Sequence, residues 1–246
     1  AVDSTGVVYF ADWHATNKIN AVRKLLADGT VTTFAGAGPV ASTDNVVGLY
    51  AEFNRPYGIA VDKDDYIYVA EFNGGALRLV SPEGVVTTLL TGIPDPIGMG
   101  VSAAGDVYFA DYAAGTVHAH QVTPSAPTVS PTAPALPAET WVTGVAATAG
   151  AEEGSRDVAR WTGPAGVSCD TVTTDIVVAE YGGDRLRRVT NVGRVNTWVG
   201  SGVGASTPGI RLAAALDGPS GIAVDAAGTA YTTEELSCVV AETTAA

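Results

Sequence analysis

The stretch GIAVDKDDYIYVAE, from Gly58 to Glu71, decides the fold because variants of it occur five times along the chain. A small, apolar strand ends at Asp62, a turn follows, and a second strand ends nine residues later at the carboxylate of Glu71. The other second strands end at Asp12, Asp111 and Glu234, after the same nine-residue spacing, and at Glu180, after a spacing of ten. Short strands that recur at nearly constant spacing predict a repeat architecture, and their content favours a β-propeller.

Each copy continues into further predicted strands. The third strand alternates apolar and polar residues, as in Ala76–Val80, and a fourth strand follows a glycine-containing turn, as in Val85–Leu89. The last copy stops before any fourth strand. The sequence therefore predicts an all-β propeller with five visible blades, organised as a single domain over residues 1–246. A Pro-, Ser- and Thr-rich segment, residues 123–138, is predicted to be an extended insert within the third copy.

The loops between copies end in a shared pattern, an aromatic residue or leucine followed within three positions by proline. The first residue of this pattern is predicted to be an anchor that is buried between blades. The anchors of the three loops are Phe53, Trp161 and Leu216. Loops of unequal length precede these anchors, over residues 36–52, 144–160 and 200–215, and are predicted to share a face with the carboxylates.

These repeats resemble the NHL repeat in four consecutive elements, which stand here as Gly58–Asp62, Tyr66–Glu71, Ala76–Val80 and Gly84–Leu89, with Asp184–Val189 matching its basic strand best. The resemblance implies a propeller whose first strands line the central axis. NHL propellers often have six blades, so five copies indicate either five blades or a clipped six. Two departures are Ser102 in place of the strand-ending aspartate and the loss of the Asn-x-Arg pair from three copies. The family includes enzymes, sensor ectodomains and scaffolds, so it leaves the function open.

The composition narrows the classes of partner. The net charge is −13 and the chain has only three lysines. Binding to nucleic acids or anionic membranes requires clustered basic residues, so neither is expected as a partner. No run of 18 apolar residues occurs, so no membrane insertion is expected. A protein partner is expected, and the acidity favours a cationic one. The chain opens inside a repeat without a signal-peptide pattern, which suggests a mature or trimmed product.

The cellular compartment is weakly indicated. Low lysine content and the mucin-like insert favour an extracellular or cell-surface protein, with a cytoplasmic location left open. Cys169 and Cys238 are consistent with either a bridge between neighbouring blades or two packed thiols, so they do not decide the compartment.

Candidate ligand-binding residues lie where the second strands end. A ring of carboxylates could collect cations or a basic partner, but acceptance of backbone N–H groups or pairing with Arg78 or Arg185 is the favoured interpretation. Aromatic residues follow four of the five carboxylates and are plausible binding hot spots. The candidates are Asp12, Trp13, Glu71, Phe72, Asp111, Tyr112, Glu180, Tyr181 and Glu234.

Catalytic signals are weak. His118 and His120 lie on one side of a predicted strand, a spacing compatible with metal binding, but the sequence identifies no third ligand. No nucleophile motif or phosphate-binding loop occurs, and no cofactor is required by the residues present. The favoured function is a non-catalytic binding or scaffolding propeller that presents the loops of one face to a ligand. The alternative is a metal-dependent lyase or hydrolase that acts at the mouth of the channel.

Overall fold

The computed structural model describes residues 1–14, 19–36, 41–45, 47–121, 139–145 and 148–243. Over these residues the chain is all-β, with five antiparallel sheets and three single-turn 3-10 helices, at Gly48–Tyr50, Tyr181–Gly183 and Arg211–Ala213. The insert predicted at residues 123–138 lies outside the described residues.

Each sheet corresponds to one copy of the repeat. Sheet 1 contains β1 (Val8–His14), β2 (Ile19–Leu25) and β3 (Val31–Ala35). Sheet 2 contains β4 (Pro56–Val61), β5 (Ile67–Glu71), β6 (Ala76–Val80) and β7 (Val86–Thr91). Sheet 3 contains β8 (Pro96–Val101), β9 (Asp106–Asp111), β10 (Thr116–Gln121) and β11 (Glu139–Thr143).

Sheets 4 and 5 complete the series. Sheet 4 contains β13 (Pro164–Cys169), β14 (Ile176–Glu180), β15 (Arg185–Val189) and β16 (Arg194–Val199), with the two-residue β12 (Gly154–Ser155) added at the outer edge of β16. Sheet 5 contains β17 (Pro219–Val224), β18 (Ala230–Glu234) and β19 (Val239–Thr243). Over the described residues, sheet 5 therefore has three strands, and whether the last copy lacks a fourth stays a prediction.

The strand bounds follow the sequence repeat closely. The second strands β5, β14 and β18 end at the carboxylates that the repeat identified. The repeat also places the first strand of the first copy at Ala1–Asp3, and this prediction is wrong, because Ala1–Asp3 is not a strand. Its pairing with β1 is limited to the bridge between Val2 and Val8 and the hydrogen bonds between Ala1 and Tyr9, which are too few to form a ladder.

The aspartates that end the first strands stabilise the turns that follow. The Oδ1 atom of Asp62 accepts hydrogen bonds from the backbone amides of Asp64 and Tyr66, both at 2.9 Å. Asp3, Asp170 and Asp225 each accept two or more hydrogen bonds from their own turns in the same way. Their repetition at one position therefore has a structural cause, the need of each turn for a side-chain acceptor.

The chain forms two compact units, one from Ala1–Val107 with His120–Ala138 and the other from Tyr108–Ala119 with Glu139–Ala246. In the first unit, sheets 1 and 2 pack face to face through residues such as Tyr9, Val22 and Ile67. In the second unit, sheets 4 and 5 pack through Leu186, Trp198 and Leu216. The prediction of a single domain over the whole chain stays a prediction.

The predicted anchors are buried. Phe53 and Trp161 have no exposed surface, and each lies against a glycine that follows an outer strand. A Cβ atom on Gly36 would lie 2.7 Å from Phe53 Cδ2, and one on Gly144 would lie 2.7 Å from Trp161 Cδ1. Both glycines also have positive φ values, +82° and +110°, so neither position tolerates a side chain. The aromatic rings thus replace the side chains that these glycines lack.

Candidate functional site

Four of the five second-strand carboxylates are buried. The exposed fraction is 0% for Glu71 and Glu180, 1% for Asp111 and 3% for Glu234. Asp12 is more accessible, with 34% of its side chain exposed. Buried carboxylates require internal partners, and the structure supplies them.

Arg78, on β6, is the partner of Glu71. Its Nη1 atom lies 2.7 Å from Glu71 Oε1, and neither side chain has exposed surface. Glu71 also accepts hydrogen bonds from the Ser42 hydroxyl at 2.5 Å and the Asn54 amide at 3.2 Å. The carboxylate is therefore fully engaged by the protein itself.

The Arg78 guanidinium also secures the loop that leads into sheet 2. It donates to the carbonyl oxygens of Glu52 and Thr43, at 3.1 and 2.9 Å, and to Asp44 Oδ1 at 2.8 Å. Its face lies over the Phe53 ring at 5.3 Å. One buried arginine thus joins a strand end, a loop and an anchor residue.

The same arrangement recurs in sheet 4 around Arg187. Its Nη1 atom lies 3.5 Å from Glu180 Oε1, and both side chains are fully buried. The guanidinium donates to the carbonyl oxygens of Arg160 and Glu152 and stacks over Trp161 at 4.6 Å. Arg185, the partner suggested by the sequence, lies 3.5 Å from the other oxygen of Glu180 but is partly exposed. Arg187 was missed, although it aligns with Arg78 as the third residue of its strand.

The other carboxylates have different contacts. Asp12 lies 3.8 Å from Arg23, and Asp111 accepts a hydrogen bond from the Ala114 amide at 3.0 Å. Glu234 accepts from the Asp217 amide at 3.1 Å and the Ser237 hydroxyl at 3.0 Å. In this copy Ala241 occupies the position of Arg78, so no arginine is present there to pair with Glu234.

Burial dominates the electrostatics of the two arginine-paired carboxylates. It raises the pKa of Glu71 and of Glu180, and this effect outweighs the opposing effects of Arg78, Arg187 and the hydrogen-bond donors. Burial likewise lowers the pKa of Arg187. Charges held inside the protein at this cost are poor candidates for external ligand binding. Whether the remaining carboxylates bind a ligand stays a prediction.

The residues that follow the carboxylates are more accessible. We call Trp13, Phe72, Tyr112 and Tyr181 the rim aromatics. In the second unit, Tyr112 is 39% exposed, and its ring lies edge-on to that of Tyr181 with centroids 6.4 Å apart. Gly163, with a φ of +62°, lies against the Tyr112 ring, because a Cβ atom there would lie 2.8 Å from Tyr112 Cε2. Gly218 lies against the Tyr181 ring in the same way, with 3.1 Å from a Cβ atom to Tyr181 Cε2, so glycine backbone supports both rings.

In the first unit, an arginine separates the two rim aromatics. The Arg55 guanidinium lies 4.2 Å from the Trp13 ring centroid and 4.5 Å from that of Phe72. Tyr57, which is 51% exposed, lies beside Phe72 with ring centroids 6.2 Å apart. Arg55 was not among the predicted site residues. The sequence does contain a signal, because Gly163 and Gly218 occupy the same position in their copies, two residues after the anchor.

The two predicted metal-binding histidines lie in different environments. The His118 ring stacks on Phe109 with centroids 4.7 Å apart, and its Nε2 atom is 2.8 Å from the Thr116 hydroxyl, whereas His120 is 5% exposed. Within the ranges that the structure describes, no three His, Cys, Asp or Glu side chains are grouped as metal ligands. Metal binding by these histidines stays a prediction.

Two further features were open after the sequence analysis. Cys169 and Cys238 do not form a disulfide; Cys169 is partly buried and Cys238 is exposed. In the described part of the chain, the helices are all too short and polar to cross a membrane.

Comparison with known proteins identifies the fold. No protein-family model matches the sequence, and no curated protein matches it. Among solved structures, an auxiliary nutrient binding protein from Bacteroides thetaiotaomicron VPI-5482 superposes with a TM-score of 0.75 at 13% identity, over 98% of this chain and 57% of that one. Its counterpart from Bacteroides ovatus ATCC 8483 gives 0.73 at 15% identity, with the same coverage. The fold is β-propeller-like.

A third similar structure is a catalytically inactive virginiamycin B lyase from Staphylococcus aureus with quinupristin. It gives a TM-score of 0.58 at 17% identity, over 99% of this chain and 68% of that one. At such identities the likeness establishes the fold alone. The chain spans 57% of the length of the two Bacteroides proteins, so their whole activities are not transferred to it.

Proposed function

We propose that this chain is a non-catalytic binding module, an NHL-type propeller of five blades that presents the loops and rim aromatics of one face to a soluble ligand or protein partner. The contact between Tyr112 and Tyr181 carries the proposal. Both tyrosines follow buried carboxylates and lie against glycine backbone, so their rings are held in place while part of their surface stays accessible. Aromatic rings held in this way bind ligands at low cost in conformational entropy.

The electrostatics support a ligand that is recognised by aromatic rings rather than by a carboxylate ring. Glu71 and Glu180 are neutralised internally by Arg78 and Arg187, so the two buried pairs offer no free charge to a cationic partner. The neighbours named as auxiliary nutrient binding proteins support a binding role in general. An extracellular or cell-surface location agrees with that role and is part of the proposal.

A ligand panel tests the proposal. Thermal shift assays with soluble oligosaccharides and peptides would be run on the protein and on the Tyr112→Ala/Tyr181→Ala double variant. A ligand at a hundred times its Kd stabilises the folded state by about 2.7 kcal/mol, a readily measured shift. We expect the double variant to lose this shift while its melting temperature without ligand changes little, because both rings are partly exposed.

Tyr231→Ala is the matched control, since Tyr231 is 40% exposed in the same unit but lies outside the tyrosine pair. A ligand that stabilises the double variant as well as the unmodified protein would contradict binding at the rim aromatics. A ligand that is converted to product at a rate dependent on the protein would contradict a non-catalytic role and favour the lyase or hydrolase alternative.

A further inference from the structure

Arg55 has a left-handed backbone conformation, and at the corresponding position of two other copies this conformation is held by glycine. Its φ is +56°, compared with +62° for Gly163 and +61° for Gly218. The backbone contacts also match: the carbonyl oxygens of Arg55, Gly163 and Gly218 accept hydrogen bonds from the residues that follow the second-strand carboxylates, at 2.9 to 3.0 Å. A left-handed conformation is unfavourable for a residue with a Cβ atom, so arginine is a costly choice here. Such an outlier motivates a functional hypothesis.

The arginine head group is positioned by aromatic rings and not by a counterion. The ring centroids of Trp13 and Phe72 lie 4.2 and 4.5 Å from its Cζ atom. No carboxylate lies within 4.0 Å of the guanidinium in the described residues, whereas Arg23, Arg78, Arg185, Arg187 and Arg188 all have one. Its only side-chain hydrogen bond there is the long one from Nη1 to Asn73 Oδ1, at 3.4 Å. Arg55 thus keeps an uncompensated positive charge in a chain of net charge −13.

The donors that remain define the shape of a ligand. Nε is buried, which leaves the outer edge formed by Nη1 and Nη2, and this edge presents two parallel N–H donors. Asn73 is exposed beside this edge, and its amide nitrogen is a further donor. Tyr57 supplies an exposed ring next to Phe72. Two parallel donors match the two oxygens of a carboxylate, and the exposed ring matches an apolar or cyclic body.

We propose that Arg55, held between Trp13 and Phe72, binds a singly charged carboxylate ligand with a ring-shaped body, assisted by Asn73 and Tyr57. The large net negative charge disfavours multiply charged anions such as phosphate, because long-range repulsion grows with the charge of the ligand. The site lies wholly within the first unit. It rests on the proposed binding function and gives it a substrate class, since it assigns an anion rather than a cation to this rim.

A direct titration tests the site. Benzoate would be added to the isotopically labelled protein while the side-chain N–H resonances of arginine are followed by NMR. We expect benzoate to shift the Arg55 resonance in a saturable manner and its neutral counterpart benzamide to leave it unchanged at the same concentrations. Phosphate at matched ionic strength should bind more weakly than benzoate. An Arg55 resonance that benzoate and benzamide affect equally would overturn the proposal.

Arg55→Gly is the informative variant because it restores the residue found at this position in two other copies, so the backbone is relieved of strain and the fold is retained. Loss of charge-assisted hydrogen bonds should weaken benzoate binding at least about tenfold. Arg211→Gly is the matched control: Arg211 also has a positive φ, of 50°, and is exposed, so this change removes the same charge from the same conformation elsewhere. Unchanged benzoate affinity in Arg55→Gly, or equal losses in both variants, would overturn the site.

A variant with lower stability would still be informative. If Arg55→Gly melts early, Asn73→Ala, which alters an exposed side chain, provides the second test and should weaken benzoate binding without altering the melting temperature. Benzoate binding that Asn73→Ala leaves intact in that case would overturn the site. The titration reads Arg55 directly, so its failure leaves the tyrosine-based test of the proposed function unaffected. Conversely, if no ligand of the thermal-shift panel binds, a benzoate-specific shift of the Arg55 resonance would still support the Arg55 site.

Discussion

Replacing Trp161 with alanine should be among the most damaging single changes in the second unit. Trp161 is fully buried, and truncation of a buried tryptophan costs about 3–5 kcal/mol, depending on how far the site can collapse. Here the ring lies against the backbone of Gly144, which has no side chain to move into the cavity. Arg187 would also lose the aromatic face that lies 4.6 Å from its guanidinium. We therefore expect a loss of about 5 kcal/mol, at the upper end of that range.

Trp161→Phe is the matched control for this prediction. The Nε1 atom of Trp161 is buried without a hydrogen-bond acceptor among the described residues, and an unmet buried donor costs about 1–3 kcal/mol. Phenylalanine keeps the ring face for Arg187 and removes that donor, so we expect a loss below about 2 kcal/mol. Urea unfolding followed by circular dichroism measures both variants. A loss below about 1 kcal/mol for Trp161→Ala, or equal losses for the two variants, would refute the argument.

Three further predictions follow from the same structure. Arg78→Ala should lower the free energy of unfolding in urea by about 3–5 kcal/mol because it leaves Glu71 buried and unpaired. Arg23→Ala breaks a partly exposed pair and should lower it by less than about 1 kcal/mol, so similar losses for the two variants would contradict the prediction. Gly36→Ala should lower the melting temperature far more than Gly29→Ala. Both glycines have φ near +80°, but only at Gly36 would a Cβ atom clash, at 2.6 Å from the backbone oxygen of Asn20. Equal shifts would show that backbone strain alone matters. Burial acts to raise the pKa of Asp170, but hydrogen bonds from Thr173 and Val172 and the nearby Arg188 outweigh burial and lower the pKa below its usual 3.8. The ionised Asp170 therefore stabilises the fold fully above pH 3.8, and this stabilisation is lost as the pH falls through the lowered pKa. Asp170→Asn should remove this acid sensitivity in thermal melts between about pH 2 and 5, and an unchanged profile would count against the prediction.

The register of the repeat could be predicted because it depends on local chemistry. A strand that ends at Asp62, a capped turn and a second strand that ends at Glu71 are encoded within 14 residues, and each copy repeats the same local demands. This is why β5, β14 and β18 lie where the spacing placed them. The first copy is the exception: Ala1–Asp3 contacts the following segment through the bridge between Val2 and Val8 and the hydrogen bonds of Ala1 with Tyr9 and of Asp3 with Val7, and it does not form a strand.

The candidate site was only partly predictable for a related reason. Residues that alternate along β15 place Arg185 and Arg187 on the same side, so strand alternation could not choose between them as partners of Glu180. The choice depends on where Trp161 and the carbonyl oxygens of Glu152 and Arg160 lie, and these belong to a loop more than twenty residues away. Alignment of Arg78 with Arg187 was the one signal that could have identified the pair.

The sequence by itself determined most of the strand order and the buried anchors, because periodicity and hydrophobic burial act over a few neighbouring residues. Tertiary structure alone decided which charges are neutralised and which remain available. Glu71 and Arg55 lie sixteen residues apart in the sequence, yet the fold buries the first beside Arg78 and places the second against Trp13 and Phe72. Electrostatic roles depend on burial and distance between remote segments, and these quantities exist only after the chain has folded.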